Sequence, residues 1–89
     1  MSYNEDLEKA KYELLVKIQN GADFSSCMSQ LGDDLFDQAL ESCCQYGYIR
    51  GAYPVRVASG VLTVDGAYNF GITEDGKEFI ADYNLYNHR

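Results

Sequence analysis

The chain has little of what catalysis, metal binding or membrane insertion requires. Its single histidine is His88, one residue from the end. A general base must stand within about 3 Å of the proton it takes, so a terminal His88 is excluded as a base and as half of a Cys–His nucleophilic pair. Neither a phosphate-cradling glycine loop nor calcium-loop spacing is present. No run approaches the roughly 20 apolar residues of a membrane-spanning helix. The start, Met1-Ser2-Tyr3-Asn4-Glu5-Asp6, lacks the basic patch and apolar run of a secretory signal. Three cysteines, Cys27, Cys43 and Cys44, make an odd count, which suits reduced thiols better than a disulfide framework. Cys43 and Cys44 are adjacent, whereas a metal-ligand pair prefers a gap. Cys43 is expected in the core and Cys44 at its margin. These absences predict a cytoplasmic protein that is not an enzyme, with no catalytic residues, cofactor, metal or membrane contact.

Cations are also scarce. Seven Lys and Arg against 14 Asp and Glu leave a net charge of −7. Residues 20–49 hold no cation but carry Asp23, Asp33, Asp34, Asp37 and Glu41. Between Ile18 and Gly76 the only cations are Arg50 and Arg56. Affinity for nucleic acid comes largely from neutralising phosphates, so this balance opposes DNA and RNA and favours a basic protein partner.

What remains is an ordinary small globular composition: 89 residues, 46% hydrophobic and 24% charged. That predicts one domain over 1–89 with a thin core and loose ends at about 1–3 and 84–89. Residues 4–20 read as a helix, with Leu7, Ala10, Leu14, Leu15 and Ile18 on one stripe, Asn4 as cap and Gly21 as stop. Glu5–Lys9 and Glu13–Lys17 have the i, i+4 spacing of ion pairs on a solvated face. Residues 24–31 form a shorter segment behind Asp23, with Phe24, Cys27, Met28 and Leu31 on one face. A third helix runs from its cap, Asp33, to about Tyr46, apolar at Leu35, Phe36, Ala39, Leu40 and Cys43, and Gly47 ends it.

After Gly47 the period changes. Residues 48–53 read as a strand, Val55 to Val64 as further extended chain, and Tyr68, Phe70 and Ile72 as a last strand. Ala58-Ser59-Gly60 and Asp65-Gly66 are turn signals. Thr73 caps a final helix whose Phe79, Ile80 and Tyr83 face inward and pack on the first helix. Two short helices joined by a tight turn and followed by a hairpin predict an α+β winged helix-turn-helix: a three-helix core, a β-hairpin wing and a C-terminal helix.

Three stretches, Leu35-Phe36-Asp37-Gln38-Ala39-Leu40, Gly47-Tyr48-Ile49-Arg50-Gly51 and Ile72-Thr73-Glu74-Asp75-Gly76-Lys77-Glu78-Phe79-Ile80, resemble the YjcQ-like winged-helix family. These are small proteins of phage and prophage genomes of Gram-positive bacteria, and the resemblance spans roughly residues 7–83. It implies DNA-linked regulation.

The residues point elsewhere. The helix that a relative would lay in the major groove carries Asp33, Asp34, Asp37 and Glu41. One like-charge contact at about 4 Å costs on the order of 4 kcal/mol at an effective dielectric of about 20. Tyrosine combines a large apolar body with a polar tip and is enriched at interfaces. The chain has eight, with Tyr46, Tyr48, Tyr53 and Tyr68 near the hairpin. The expected function is therefore protein binding through Asp33, Asp34, Asp37, Glu41, Tyr46 and Tyr53, toward a partner with a basic surface. A tyrosine-rich edge also permits a homodimer. One alternative is weak DNA contact through the wing arginines, Arg50 and Arg56. Another is an acidic helix that imitates a phosphate row and blocks a nucleic-acid-binding protein.

Overall fold

The computed structural model describes residues 5–87. Its elements run α1 (Glu5–Gln19), α2 (Phe24–Cys27), a 3-10 turn (Met28–Gln30), α3 (Asp34–Gln45), β1 (Ile49–Arg56), β2 (Leu62–Ile72) and α4 (Glu74–Asn87). The two strands form one antiparallel sheet, so the architecture is α+β.

Local chemistry sets the helix ends. Asp23 Oδ1 accepts from the Ser26 N–H at 2.7 Å, Asp33 Oδ2 from Phe36 at 3.0 Å, and Thr73 Oγ1 from Gly76 at 3.1 Å. Each thereby satisfies an orphan donor of a first turn. The expected cap of α1, Asn4, lies outside the described residues, as do residues 1–3 and His88. Helix α3 ends in a Schellman motif, with Gly47 N–H on Cys44 O and Tyr48 N–H on Cys43 O. Helix α1 ends the same way, with Gly21 N–H on Ile18 O and Ala22 N–H on Lys17 O.

The core lies between α1, α3 and the inner face of the hairpin. Leu15, Ala39, Leu40 and Cys43 have no exposed surface, and Leu14, Ile18, Phe36, Ile49, Ala52, Leu62, Ile72 and Ile80 close around them. Cys44 is half-buried beside Cys43, so the two thiols divide between core and margin as expected. Helix α4 packs on α1 through Tyr83, whose ring stacks on Tyr12 at 4.2 Å, and through Asn84, which accepts from the Tyr12 hydroxyl at 2.8 Å.

One joint connects the two halves of the chain. Thr73 N–H donates to Tyr48 O, and Thr73 Oγ1 donates to Gly47 O. A Cβ on Gly76 would stand 2.5 Å from that same Tyr48 oxygen and 2.6 Å from Ile72 Cγ1. Glycine alone lets the first turn of α4 press against the start of β1. The Gly-Tyr-Ile and Ile-Thr-x-x-Gly stretches thus meet each other, and both serve architecture.

The structure departs from the sequence reading in four places. Asp65-Gly66 is not a turn: β2 runs straight through it, with Asp65 opposite Tyr53 and Gly66 opposite Ala52. The Phe24 ring lies close over Gly66, where a Cβ would stand 3.1 Å from it. Helix α4 continues to Asn87, where a loose end was expected from Asn84, because Tyr12 anchors Asn84. Leu31 and Leu35, placed on apolar faces, are each 36% exposed. Finally, α1 pairs Glu8 with Lys11 at i, i+3 rather than closing Glu5–Lys9 or Glu13–Lys17. Lys11 is buried with its ammonium 5.7 Å from the Tyr46 ring centre and 5.3 Å from that of Phe79, so aromatic faces and a carboxylate replace its water.

The strands carry one large irregularity. Between the pairs Arg50/Gly71 and Ala52/Gly66, Gly51 alone stands opposite residues 67–70. Gly51 has φ 78°, and a Cβ there would lie 2.7 Å from Phe70 Cα. Asn69 takes up the reversal on the other strand at φ 62°. The bulge leaves Tyr68 98% exposed.

Two substitutions check this account by urea denaturation. Leu40→Ala, at a fully enclosed site, is expected to cost about 2–5 kcal/mol. Gly51→Ala combines a left-handed φ with a backbone collision and is expected to cost about 2 kcal/mol or more. Near-native stability of Gly51→Ala would contradict the bulge.

Candidate functional site

The expected acidic surface divides once its side chains are placed. Asp33 and Asp34 lie at the N-terminal end of α3 and are both exposed; Asp33 also caps the helix, while Asp34 projects from its first turn. Asp37 is not a surface residue. It is 5% exposed, and its Oδ1 accepts the Gly32 N–H at 2.9 Å, holding the turn that precedes α3. An acid one turn into a helix folds back onto the free donor of the incoming loop, which removes Asp37 from any docking face.

Glu41 and Arg56 were assigned to opposed readings, protein and DNA binding. They bind each other. Arg56 donates from Nη2 to Glu41 Oε1 at 2.8 Å and from Nε to Oε2 at 3.1 Å. Its Nη1 donates to Gly60 O at 2.7 Å, so one guanidinium ties the hairpin turn to α3. That hydrogen bond holds the Glu41 carboxyl below the usual glutamate range and raises Arg56 further. Arg50, the other expected DNA residue, donates from Nη1 to Ile72 O at 2.6 Å. Both cations of the hairpin are therefore engaged within the molecule.

The tyrosines separate too. Tyr46 lies just past the far end of α3, about 20 Å from Asp33 at 1.5 Å per residue. It is 59% exposed and its ring stacks on Tyr48 at 5.8 Å. Tyr53 sits on the hairpin. Asp33 and Asp34, Glu41 with Arg56, Tyr46, and Tyr53 occupy four separate places.

Sequence reasoning missed the outer face of the hairpin. Directly opposed residues of an antiparallel pair share a face. Tyr53 opposes Asp65, and Val55 opposes Thr63. Val57 donates to Val61 O at 3.0 Å and extends the same row. Tyr53, Val55, Val57 and Val61 are 58%, 54%, 43% and 57% exposed. Their alternation with Ala52, Pro54 and Arg56 was the available signal. It was obscured because the inward partner near the turn is the arginine and not an apolar residue.

A cavity of about 230 Å³ opens between α1, α2 and α3, walled by Leu14, Cys27 and Phe36 with Glu13, Lys17 and Asp33. It falls below the roughly 300–1,000 Å³ of small-molecule pockets. Lys17 is occupied in donating to Ser26 O at 3.2 Å. Among the described residues, no three His, Cys, Asp or Glu side chains gather to hold a metal ion, and no helix is long and apolar enough to cross a membrane. Burial pushes the Cys43 thiol up to about 12 and the Cys44 thiol up to about 11, and it raises Cys27 as well. Neutral thiols are poor nucleophiles and poor metal ligands. Comparison with family models, curated proteins and solved structures found no match to this chain.

The thiol shifts fix an alkaline limb of stability. A folded-state pKa above the ordinary 9.0 means Cys43 stabilises the fold fully below about pH 9, and that contribution is lost as pH rises toward about 12. The urea midpoint of the native chain should fall across this window, and Cys43→Ala should show a shallower fall. Equal alkaline slopes for the two proteins would count against the buried neutral thiol.

Proposed function

We propose that this chain is a non-enzymatic winged-helix interaction domain, cytoplasmic and of phage or prophage origin, that binds a protein with a basic surface. Helices α2 and α3 with residues 28–33 between them, the 3-10 turn included, correspond to the helix-turn-helix, and the β1–β2 hairpin to the wing. The three stretches that resemble the YjcQ-like family support this assignment, as does the hairpin directly following α3. The observation that carries the choice of partner is the state of the hairpin's cations. Arg56 is bound bidentately by Glu41 and Arg50 is held on the Ile72 carbonyl, while Asp33, Asp34, Tyr46 and Tyr53 face solvent. A surface with its cations internally paired and its acids and tyrosines outward suits a basic protein better than phosphates.

The element order favours a second reading, DNA contact through the wing. It requires Arg56 to leave Glu41 and Arg50 to leave a carbonyl before either reaches a phosphate. The DNA-mimic reading needs a row of free carboxylates, and Asp37 and Glu41 are already engaged.

A titration of labelled duplex DNA at low salt separates these readings. No binding is expected at low salt. Binding that weakens steeply as salt rises, and that disappears in the Arg50→Ala, Arg56→Ala double variant, would establish the wing reading instead. For a co-purified partner, reversing the exposed Asp34, which leaves the Asp33 cap in place, to lysine should weaken the complex about threefold to tenfold. A complex indifferent to that reversal would remove Asp34 from the interface.

A further inference from the structure

We infer that the outer face of the β1–β2 hairpin is the primary docking surface, and that its occupant is a cationic, amphipathic protein segment whose apolar side covers Tyr53, Val55, Val57 and Val61 while a lysine or arginine meets Asp65. The inference rests on the protein-binding reading above and names the surface and the chemistry of the partner.

Two features of the hairpin make this face a surface built for contact. An antiparallel sheet that packs one face on a core normally turns polar residues to water on the other. Here two of the polar groups are already engaged. Arg56 faces the opposite side, drawn to Glu41 and the Gly60 carbonyl. Thr63 belongs to the outer face, but its Oγ1 donates to Val55 O at 3.1 Å, so its hydroxyl is engaged with the strand. The result is a contiguous apolar strip, and such strips mark interaction sites.

The strip ends in a single charge. Asp65 stands opposite Tyr53, and the ion pairs formed among the described residues, Glu8–Lys11, Glu41–Arg56 and Glu74–Lys77, do not include it. Its position rules against a second copy of the chain as occupant. A twofold pairing with strands opposed in direction would press each Asp65 onto the partner's valines and desolvate an unpaired carboxylate. Parallel placement would bring the two carboxylates together. A net charge of −7 on each copy opposes both arrangements. A cation at the Asp65 end removes the cost.

The mode of contact is also constrained. The Val57–Val61 bond makes 57/61, 55/63 and 53/65 the hydrogen-bonded pairs by alternation. Pro54 therefore presents its nitrogen, which has no hydrogen to donate, at the open edge of β1. A strand added along that edge would meet a missing donor at Pro54, which favours contact across the face.

The test is an NMR titration of the 15N-labelled full chain with two synthetic probes, one peptide alternating leucine with lysine and one alternating leucine with glutamate. The leucine–lysine peptide should give saturable shifts concentrated in residues 53–65. Val55→Lys should raise its Kd about tenfold, and Asp65→Asn about threefold with a flatter salt dependence. Both positions are exposed, so the variants should keep the native spectrum. Equal binding of the leucine–glutamate peptide would overturn the charge assignment. Shifts confined to Asp33 and Asp34 would overturn the hairpin assignment and leave the wider protein-binding reading standing. No saturable shift at any residue would overturn both. A concentration-dependent dimer in sedimentation, abolished by Val55→Lys, would overturn the choice of a foreign occupant.

Discussion

The architecture depends on the meeting of Thr73 with the Gly47–Tyr48 peptide. One threonine donates twice to that segment, through its amide and its hydroxyl, and accepts the Gly76 N–H with the same hydroxyl oxygen. The carbonyls it satisfies belong to the chain just leaving α3, and the donor it satisfies belongs to the first turn of α4. Termination of one helix, entry into β1 and initiation of another are thus coupled through one side chain. Because Gly76 has no Cβ, the two segments approach to contact distance, and Ile72 and Ile80 are carried into the core.

A second constraint is the internal use of charge. In a chain with few cations, each one that is engaged changes what the surface presents. Lys11 is buried against Glu8, Tyr46 and Phe79; Arg56 ties the hairpin turn to α3; Arg50 is bound to a carbonyl at the base of the sheet; and Lys17 is bound to the Ser26 carbonyl of α2. The cations therefore stabilise the joints between elements. What faces water is acid at the start of α3, tyrosine at Tyr46, Tyr53 and Tyr68, and valine along the hairpin.

Local signals were legible where a residue acts on its own backbone. Asp23, Asp33 and Thr73 cap helices because a short oxygen-bearing side chain reaches the N–H groups two or three residues on, and that distance is set by sequence spacing alone. The buried stripe Leu14, Leu15 and Ile18 and its counterpart Phe36, Ala39, Leu40 and Cys43 follow from helical period in the same way. Signals failed where a distant group competed. Asp65-Gly66 has turn chemistry, but pairing with Tyr53 and Ala52 and the Phe24 ring against Gly66 impose extended chain. The lysines of α1 had ion-pair spacing, but neighbouring aromatic rings took Lys11 out of solvent. The candidate site was the least legible part. Four of its eight residues, Asp37, Glu41, Arg50 and Arg56, are engaged in the fold by partners that include Gly32, Gly60 and Ile72.

The amino-acid order by itself determined the helices, the caps at Asp23, Asp33 and Thr73, the hairpin and the acidic balance, since each depends on residue type and on spacing within a few positions. Which charges remain available and which apolar residues remain uncovered was decided only in three dimensions. An ion pair such as Glu41–Arg56, or a strand face such as that of Tyr53 and Val55, depends on which distant segment arrives beside it. Spacing along the chain does not encode that arrival; the packing of α3 against the hairpin does.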